Sequence, residues 1–115
     1  MTTLRNRVQL VGNLGMHPEI VNFENGKKIA KFTVATNEIF GSNGTTKTET
    51  QWHNVVAWDK LADIVEKQLK KGSEIAMEGR LTYRNYEAKD GQKKYITEIV
   101  LTNFIVYPGE RKSGK

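Results

Sequence analysis

The chain has 115 residues, which suits one domain with a single hydrophobic core. It has no cysteine, which excludes disulfides and thiolate metal sites, and its longest apolar runs are far too short to span a membrane. Lys and Arg number 18 against 13 Asp and Glu, and the resulting net charge of +5 is compatible with nucleic-acid binding but equally with a solvated basic surface.

The N-terminal third predicts strands. Its first ten residues, MTTLRNRVQL, lack the long apolar stretch of a secretory signal, so we expect a cytoplasmic location. Residues 6–14 (NRVQLVGNL) alternate between an apolar and a polar face, which indicates a long strand. Residues 19–23 begin the next run. The Asn25-Gly26 pair that follows is a strong hairpin signal, and the chain returns as a strand over residues 28–37.

The middle of the chain combines a polar segment with an aromatic strand. Residues 38–50 are rich in Gly, Ser, Asn and Thr around Ile39-Phe40, which predicts a flexible hairpin loop. The stretch TETQWHNVVAW over residues 48–58 then alternates as a strand. Trp52 and Trp58, the only tryptophans in the chain, fall on the same face of it.

Residues 59–71 (DKLADIVEKQLKK) change to a helical period. Asp59 is the predicted N-cap of this helix. The predicted apolar face consists of residues at i, i+3, i+4 and i+8, namely Leu61, Ile64, Val65 and Leu69.

Two further strands complete the predicted fold. They cover residues 73–87 and 94–107, so the order is three long strands, one helix and two long strands. Gly12 and Gly79 lie inside two of these strands, and interior glycines are typical of bulges and barrel corners. The order predicts an all-β fold, a five-stranded Greek-key barrel of the OB type with one helix between strands 3 and 4.

This barrel is predicted to be the only domain. It covers residues 1–107, and the remaining PGERKSGK over residues 108–115 is predicted to be a short, disordered basic tail.

Residues suited to catalysis are sparse in the sequence. His17 and His53 are isolated, and neither belongs to a spacing typical of a metal site or a catalytic group. Glu74 and Glu78 share a strand face but are roughly 13 Å apart along the strand, too far for a paired-carboxylate site. We therefore predict a protein that is not an enzyme and that holds neither a metal nor another cofactor.

Aromatic side chains next to cations favour a binding function instead. A single strand aromatic is more often part of the core, but Phe40 and Tyr86 lie in locally polar sequence, where burial is hard to arrange. Rings on a barrel face with Lys and Arg between them can stack bases of any type. The cations can neutralise phosphates, and only unpaired strands expose their base faces.

The motifs of the chain resemble those of the bacterial single-stranded DNA-binding proteins over residues 4–107. In chain order the motifs are NRVQLVGNLGMHPE, KFTVATNE, TQWHNVVAWDKLAD, KKGSEIAMEGRL and DGQKKYITEIV. The resemblance implies an OB-fold domain that coats single-stranded DNA without sequence specificity during replication, recombination and repair. It also implies a homotetramer and an association with the nucleoid. Val55 and Ala57 are apolar strand residues beside His53, and we expect them in the subunit contact.

The resemblance also implies roles for individual residues. The base-stacking positions fall on Phe40, Trp52, Trp58 and Tyr86. The phosphate contacts fall on Arg7, Lys31, Lys60, Lys70, Arg80 and Arg84. His53 is implied to be a subunit contact. The family commonly has Trp where this chain has Phe40 and Tyr86, and often Phe where it has Trp58, so we expect altered strength rather than lost stacking.

The C-terminus departs from the family pattern. The family usually ends in a long Gly/Pro/Gln-rich tail with an acidic, Phe-tipped segment that recruits replication and repair enzymes. This chain ends in the basic GERKSGK, as a naturally short member or as a truncated chain. The difference leaves recruitment of those enzymes open and does not affect DNA binding.

Two other functions remain open at this point. One is an OB-type adaptor, such as a primosome accessory protein, that binds protein through its exposed aromatics. The other is an RNA-binding OB module. Salt dependence distinguishes the adaptor from a DNA-binding protein. Phosphate neutralisation lowers log K by about 0.7 per contact and per log unit of salt for single strands, whereas a mainly apolar protein contact depends on salt much less. Competition between matched DNA and RNA oligonucleotides separates the RNA module.

Overall fold

The computed structural model describes residues 5–42 and 44–107. In chain order the elements are β1 (Val8–Leu14), β2 (Glu19–Asn22), β3 (Lys28–Ser42), β4 (Thr45–Trp58), α1 (Asp59–Gln68), β5 (Glu74–Glu87) and β6 (Lys93–Val106). The predicted tail of residues 108–115 lies outside the described residues. Within the described ranges, the helix is neither long nor apolar enough to cross a membrane.

Five of the six strands in the described residues close into a barrel. The sheet order is β1-β5-β6-β4-β3, and β1 pairs with β3 to complete the ring. The short β2 lies on the same edge of β3, nearer to the start of that strand. Helix α1 connects β4 to β5, which are the third and fourth barrel strands in chain order. The predicted OB-type Greek-key barrel with one helix is confirmed.

Alternating side chains from the strands fill the barrel. The largest fully buried side chains among the described residues are Phe32, Val34, Val55, Val65 and Ile75. Val55 and Ala57 are therefore core residues, and their prediction as a subunit contact was wrong. Odd-numbered residues at this end of β4 point into the barrel, and the even-numbered ones point out, although the outward-pointing Val56 is itself only 4% exposed.

Two glycines let neighbouring strands approach closely. A Cβ at Gly12 would lie 2.2 Å from the carbonyl oxygen of Ala35 in β3, and a Cβ at Gly79 would lie 2.4 Å from that of Val100 in β6. The β5–β6 register also shifts between Glu78 and Gly79. Gly79 thus marks the bulge that an interior glycine predicted, and Gly12 marks a close approach of β1 and β3.

The β3–β4 hairpin is an extended arm and not the flexible loop predicted over residues 38–50. Pairing continues from Ile29 with Trp58 to Ser42 with Thr45. The arm is rich in threonine, and β-branched residues favour extended backbone. The turn-forming Gly44, with a φ of 79°, lies at the tip. The loop prediction was wrong because it counted these threonines with Gly, Ser and Asn as loop residues, although threonine favours strands.

Helix α1 is shorter than predicted and presents a slightly different face. It ends at Gln68, and the core receives Ala62 and Val65 from the helix together with Leu69, which follows it. Ile64 is exposed. The buried face of the helix therefore includes Ala62 and leaves out Ile64, in contrast to the predicted one.

The start of α1 is attached to β3 by Lys28. The N-cap position is Trp58, whose indole has no acceptor for capping, so the prediction of Asp59 as the N-cap was wrong. The Asp59 carboxylate instead accepts a hydrogen bond from the Lys28 backbone N–H at 3.3 Å. The Lys28 ammonium donates to Asp63 at 2.6 Å and also to Glu66. Three contacts thus join the first residue of β3 to one side of the helix.

This ion pair makes part of the stability depend on pH. The hydrogen bond and charge of Lys28, with a smaller contribution from Lys67, lower the pKa of Asp63 below its usual value. A carboxyl with a lowered folded-state pKa stabilises the fold above its unfolded pKa, about 4, and loses this effect as the pH falls through the folded pKa. We expect Asp63→Asn to lower Tm by a few degrees at most at pH 7, because exposed pairs are weak.

Thermal melts from pH 7 to pH 3 test this expectation. The Tm difference between wild type and Asp63→Asn should close towards pH 3. Asp90→Asn is the control, because Asp90 lies in the β5–β6 turn and its Oδ1 accepts a hydrogen bond from the Gln92 backbone, which an amide oxygen also accepts. A difference for Asp63→Asn that is as large at pH 3 as at pH 7 would contradict the assignment.

Candidate functional site

A row of paired residues crosses four strands on the outside of the barrel. Arg80 of β5 pairs with Val100 of β6. Val100 pairs with Val56 of β4, and Val56 pairs with Lys31 of β3. Directly paired residues project from the same face of a sheet. The row therefore has two aliphatic side chains at its centre and a cation at each end.

A groove of about 560 Å³ lies over the centre of this row. The rings of Phe23, Trp58 and Tyr83 line it. Lys31, Arg84 and the carboxylate Glu98 also line it, so the net positive charge of the groove is that of Lys31. The site thus combines an apolar floor, flat rings and positive charge, which is the chemistry that an unpaired nucleic-acid strand requires.

The two tryptophans of β4 lie on the outer face. Trp52 is 62% exposed and Trp58 is 44% exposed, so neither indole is part of the core. The Trp52 ring lies against Gly15, where an added Cβ would come within 2.3 Å of ring atom Cζ3. The absence of a side chain at Gly15 therefore makes room for the indole, which rests on backbone and leaves its other side open.

The other two predicted stacking rings are on two extended hairpins, the β3–β4 arm and a second arm in which β5 and β6 pair as far as Glu87 with Lys93. Tyr86 is exposed, pairs with Lys94 and shares a strand face with Arg84. Phe40 is also exposed and pairs with Lys47 near the tip of the β3–β4 arm. Strand alternation places Phe40 on the opposite face of its ribbon from Trp52. The structure thus places both tryptophans on the outer face of β4, with Trp58 lining the groove, and places Phe40 on the other face of the ribbon.

A second cleft of about 280 Å³ continues from the Arg80 end of the row. Arg5, Arg7 and Arg80 line it. The Nε of Arg7 lies 2.5 Å from a carboxylate oxygen of Glu78. The Asn6 side chain accepts from the backbone N–H of Leu81 at 2.7 Å and donates to its carbonyl oxygen at 2.8 Å. This clamp fixes the segment that carries the two N-terminal arginines.

Lys60 and Lys70 are at the ends of the helix, away from both concave surfaces. Lys60 is in the first turn of α1, and Lys70 is in the turn that follows it. Both are exposed, and in the described part of the chain neither lines the groove or the arginine cleft.

Arg84 is held in a two-pronged ion pair. Its Nε and Nη2 each donate to one oxygen of the Glu98 carboxylate, both at 3.0 Å. The Glu98 side chain is 9% exposed, whereas that of Arg84 is 51% exposed. The hydrogen bonds and the charge of Glu98 raise the pKa of Arg84. Arg84 is therefore charged at any working pH, but a carboxylate already faces its charge.

His53 is half-buried on the inner face of β4. Its Nε2 lies 3.0 Å from the Thr36 hydroxyl on the neighbouring strand. A subunit contact through His53 stays a prediction. Across residues 5–42 and 44–107, no group of three or more acidic or histidine side chains is arranged to hold a metal ion.

Three exposed rings were missed by the sequence reasoning. They are Phe23, Tyr83 and Tyr95. Tyr83 continues the alternation of the buried Ile75 and Met77, so the pattern of β5 gives no sign of its exposure. The strand extends beyond the barrel into an arm, and the same face is solvated there. Arg5 was also missed, although its spacing of two from Arg7 places both on one side of an extended segment.

Comparison with known proteins identifies the group to which this site belongs. The model of the single-strand binding protein family matches residues 5–107. The chain belongs to this family. A relative, single-stranded DNA-binding protein 1 of Chlorobaculum tepidum, is 45% identical over 111 residues, which are 95% of this chain and 68% of the relative. The family comprises DNA-binding proteins and not enzymes, in agreement with the predicted lack of catalysis.

A solved structure from the single-strand binding family has the same fold. It is a Plasmodium falciparum SSB in complex with ssDNA, with a TM-score of 0.83 and 32% sequence identity. The match covers 94% of this chain and 99% of the other.

Proposed function

We propose that this single-strand binding protein coats single-stranded DNA without sequence specificity and protects it during replication, recombination and repair. The observation that carries the proposal is the outer face of the barrel. Two exposed indoles project there from β4, beside an aliphatic row with Lys31 at one end and Arg80 at the other. The action on DNA implies a location at the nucleoid.

Base stacking provides affinity that does not depend on sequence. Trp58 presents its ring in the groove, and Trp52 is exposed further along the same face of β4. Tyr86 presents a ring on the β5–β6 hairpin, and Phe40 presents one on the β3–β4 arm. A stacked base contributes about 1–3 kcal/mol, and every base has a face that can stack. The rings are thus proposed to stack on bases. Because Phe40 is separated from the tryptophans, the DNA has to turn around the β3–β4 arm to reach it.

Cations around the groove are proposed to follow the phosphates. Lys31 and Arg80 lie at the two ends of the aliphatic row, and Arg7 lies in the adjoining arginine cleft. Lys60 and Lys70 would contact phosphates only where the DNA leaves the groove towards α1. Arg84 was also predicted to bind phosphate, and its pairing with Glu98 leads to a different role below.

Titration with oligo-dT tests the proposed function. We expect tryptophan emission to fall at low salt, because both indoles are exposed and would be covered by bases. The plot of log K against log salt should have a slope of about −0.7 for each phosphate contact. Unchanged emission and no salt-dependent binding would contradict the proposal. Equal competition by a matched RNA oligonucleotide would favour an RNA-binding role.

We propose further that the chain forms a homotetramer. A second, exposed row of aliphatic residues, on β1, β5 and β6, supports this. Val11 of β1 pairs with Ala76 of β5, and Ala76 pairs with Ile105 of β6. Val11 and Ile105 are both exposed. Burial of aliphatic side chains by other copies of the chain would remove this surface from water.

Charged side chains placed in this second row test the tetramer. We expect the double variant Val11→Glu, Ile105→Glu to remain folded and to lose the tetrameric mass in light scattering at micromolar concentration. Ile64→Glu is the control, because Ile64 is also an exposed aliphatic residue but lies on α1. A monomeric wild type, or a tetramer that survives the double substitution, would refute this use of the row.

A further inference from the structure

The Arg84–Glu98 pair has a geometry that suits a base better than a phosphate. Two of the five guanidinium N–H donors are used by Glu98, in the side-by-side arrangement that holds the group most rigidly. The pair as a whole carries no net charge. A phosphate at Arg84 would therefore meet a carboxylate as well as a cation.

The unequal burial of the two partners makes the pair persistent. The Glu98 carboxylate is largely removed from water, while half of the Arg84 side chain is open to it. A phosphate that drew Arg84 away would leave a buried carboxylate unpaired, which is costly. The Arg7–Glu78 pair differs, because both of its side chains are partly exposed and water can replace either partner.

The surroundings of Arg84 are those of a stacking position. Arg84 lines the groove together with Trp58 and Tyr83. Tyr86 is two residues further along the same strand face, a spacing of roughly 6.8 Å along the strand. Successive bases in a stack are about 3.4 Å apart, so side chains at this spacing leave room for one base between them. Guanidinium planes stack on flat rings as well as bind anions.

We propose that Arg84 binds single-stranded DNA as a flat surface for a base, held in place by Glu98, and not as a counterion for a phosphate. The role rests on the proposed function, since it assigns one residue within the same groove. Arg84 is thus a base-contacting residue, and Glu98 is the residue that positions it.

The test compares base and backbone binding in one salt series. Wild type and Arg84→Lys are titrated with oligo-dT and with an abasic oligonucleotide of the same length. Lysine keeps the charge beside Glu98 but has no plane. We expect Arg84→Lys to weaken oligo-dT binding by about 10-fold, a loss within the range of one stacked base. Its affinity for the abasic strand and its salt slope should match wild type.

A neighbouring cation provides the contrasting control. Arg80 lies at the end of the aliphatic row, and no ion pair involves it within the described ranges of the chain. Arg80→Gln should weaken both oligonucleotides equally and reduce the salt slope by about 0.7. If Arg84→Lys keeps full affinity for oligo-dT, or if it weakens both strands equally, the proposal is overturned.

Glu98→Gln gives an independent measurement should Arg84→Lys fail to fold. It removes the carboxylate charge at almost constant size and frees the charge of Arg84 for phosphate. We expect the salt slope to steepen by about 0.7 for both oligonucleotides. An unchanged slope would show that Arg84 already neutralised a phosphate, and would overturn the proposal. Wild type that fails to bind oligo-dT at low salt would instead refute the proposed function.

Discussion

Replacement of Trp52 and Trp58 together by leucine is expected to weaken binding of single-stranded DNA by roughly a thousandfold at constant salt. Each lost stack costs about 1–3 kcal/mol, and two losses of about 2 kcal/mol multiply to this factor. The salt slope should stay at the wild-type value, because no cation is removed. Fluorescence anisotropy of a labelled oligo-dT is the measurement, since the variant contains no tryptophan.

Two comparisons make this result specific to stacking. The double variant Trp52→Phe, Trp58→Phe keeps a ring at both positions and should retain most of the affinity. Thermal melts of the leucine variant should show a folded protein, because both indoles project from the outer face of β4. A leucine variant that is folded and binds as tightly as wild type would remove the indoles from the proposed interface.

The barrel could be predicted because its pattern is local. Strand alternation assigns Val55 and Ala57 to one face of β4 and Trp52 and Trp58 to the other without knowledge of any other strand. The wrong assignment of Val55 and Ala57 to a subunit contact did not come from the alternation. The alternation separated the faces correctly, but nothing local says which face meets the barrel core and which meets another subunit.

The arms were harder to predict because they extend beyond the barrel. Tyr83 continues the buried face of β5, and its exposure follows only from where the barrel ends. The tip of the β3–β4 arm has the composition of a loop, yet residues on both of its sides pair as far as Ser42 with Thr45. Cross-strand pairing along an arm adds stability that the propensity of either segment alone does not contain.

The electrostatics of the site could not be predicted from one segment at a time. Arg84 and Glu98 are 14 residues apart in the chain, and the register of the β5–β6 hairpin brings them together. Arg7 and Glu78 meet only because β1 pairs with β5. Counting cations in the sequence therefore overstates the charge available to phosphates, since some of it already faces carboxylates.

Closure of the barrel gives the largest expected effect on stability. Gly12→Ala would place a Cβ 2.2 Å from the carbonyl oxygen of Ala35 and 3.0 Å from a methyl of Val34. The first obstacle is backbone, so β1 and β3 would have to move apart at the point where they close the ring. We expect a loss of about 3 kcal/mol in the free energy of unfolding, at the upper end of overpacking effects.

Urea unfolding at one fixed protein concentration is the measurement, because assembly would otherwise alter the apparent stability. Gly41→Ala is the matched control: it is also a strand glycine, but the nearest atom to its added Cβ is 3.7 Å away, so the change should stay within about 0.5 kcal/mol. Ala35 also pairs with Trp52, so movement of β3 at this point should disturb the indole and weaken DNA binding as well. Wild-type stability in Gly12→Ala would mean that β1 and β3 separate freely, and that their contact neither closes the barrel nor supports the face that carries Trp52.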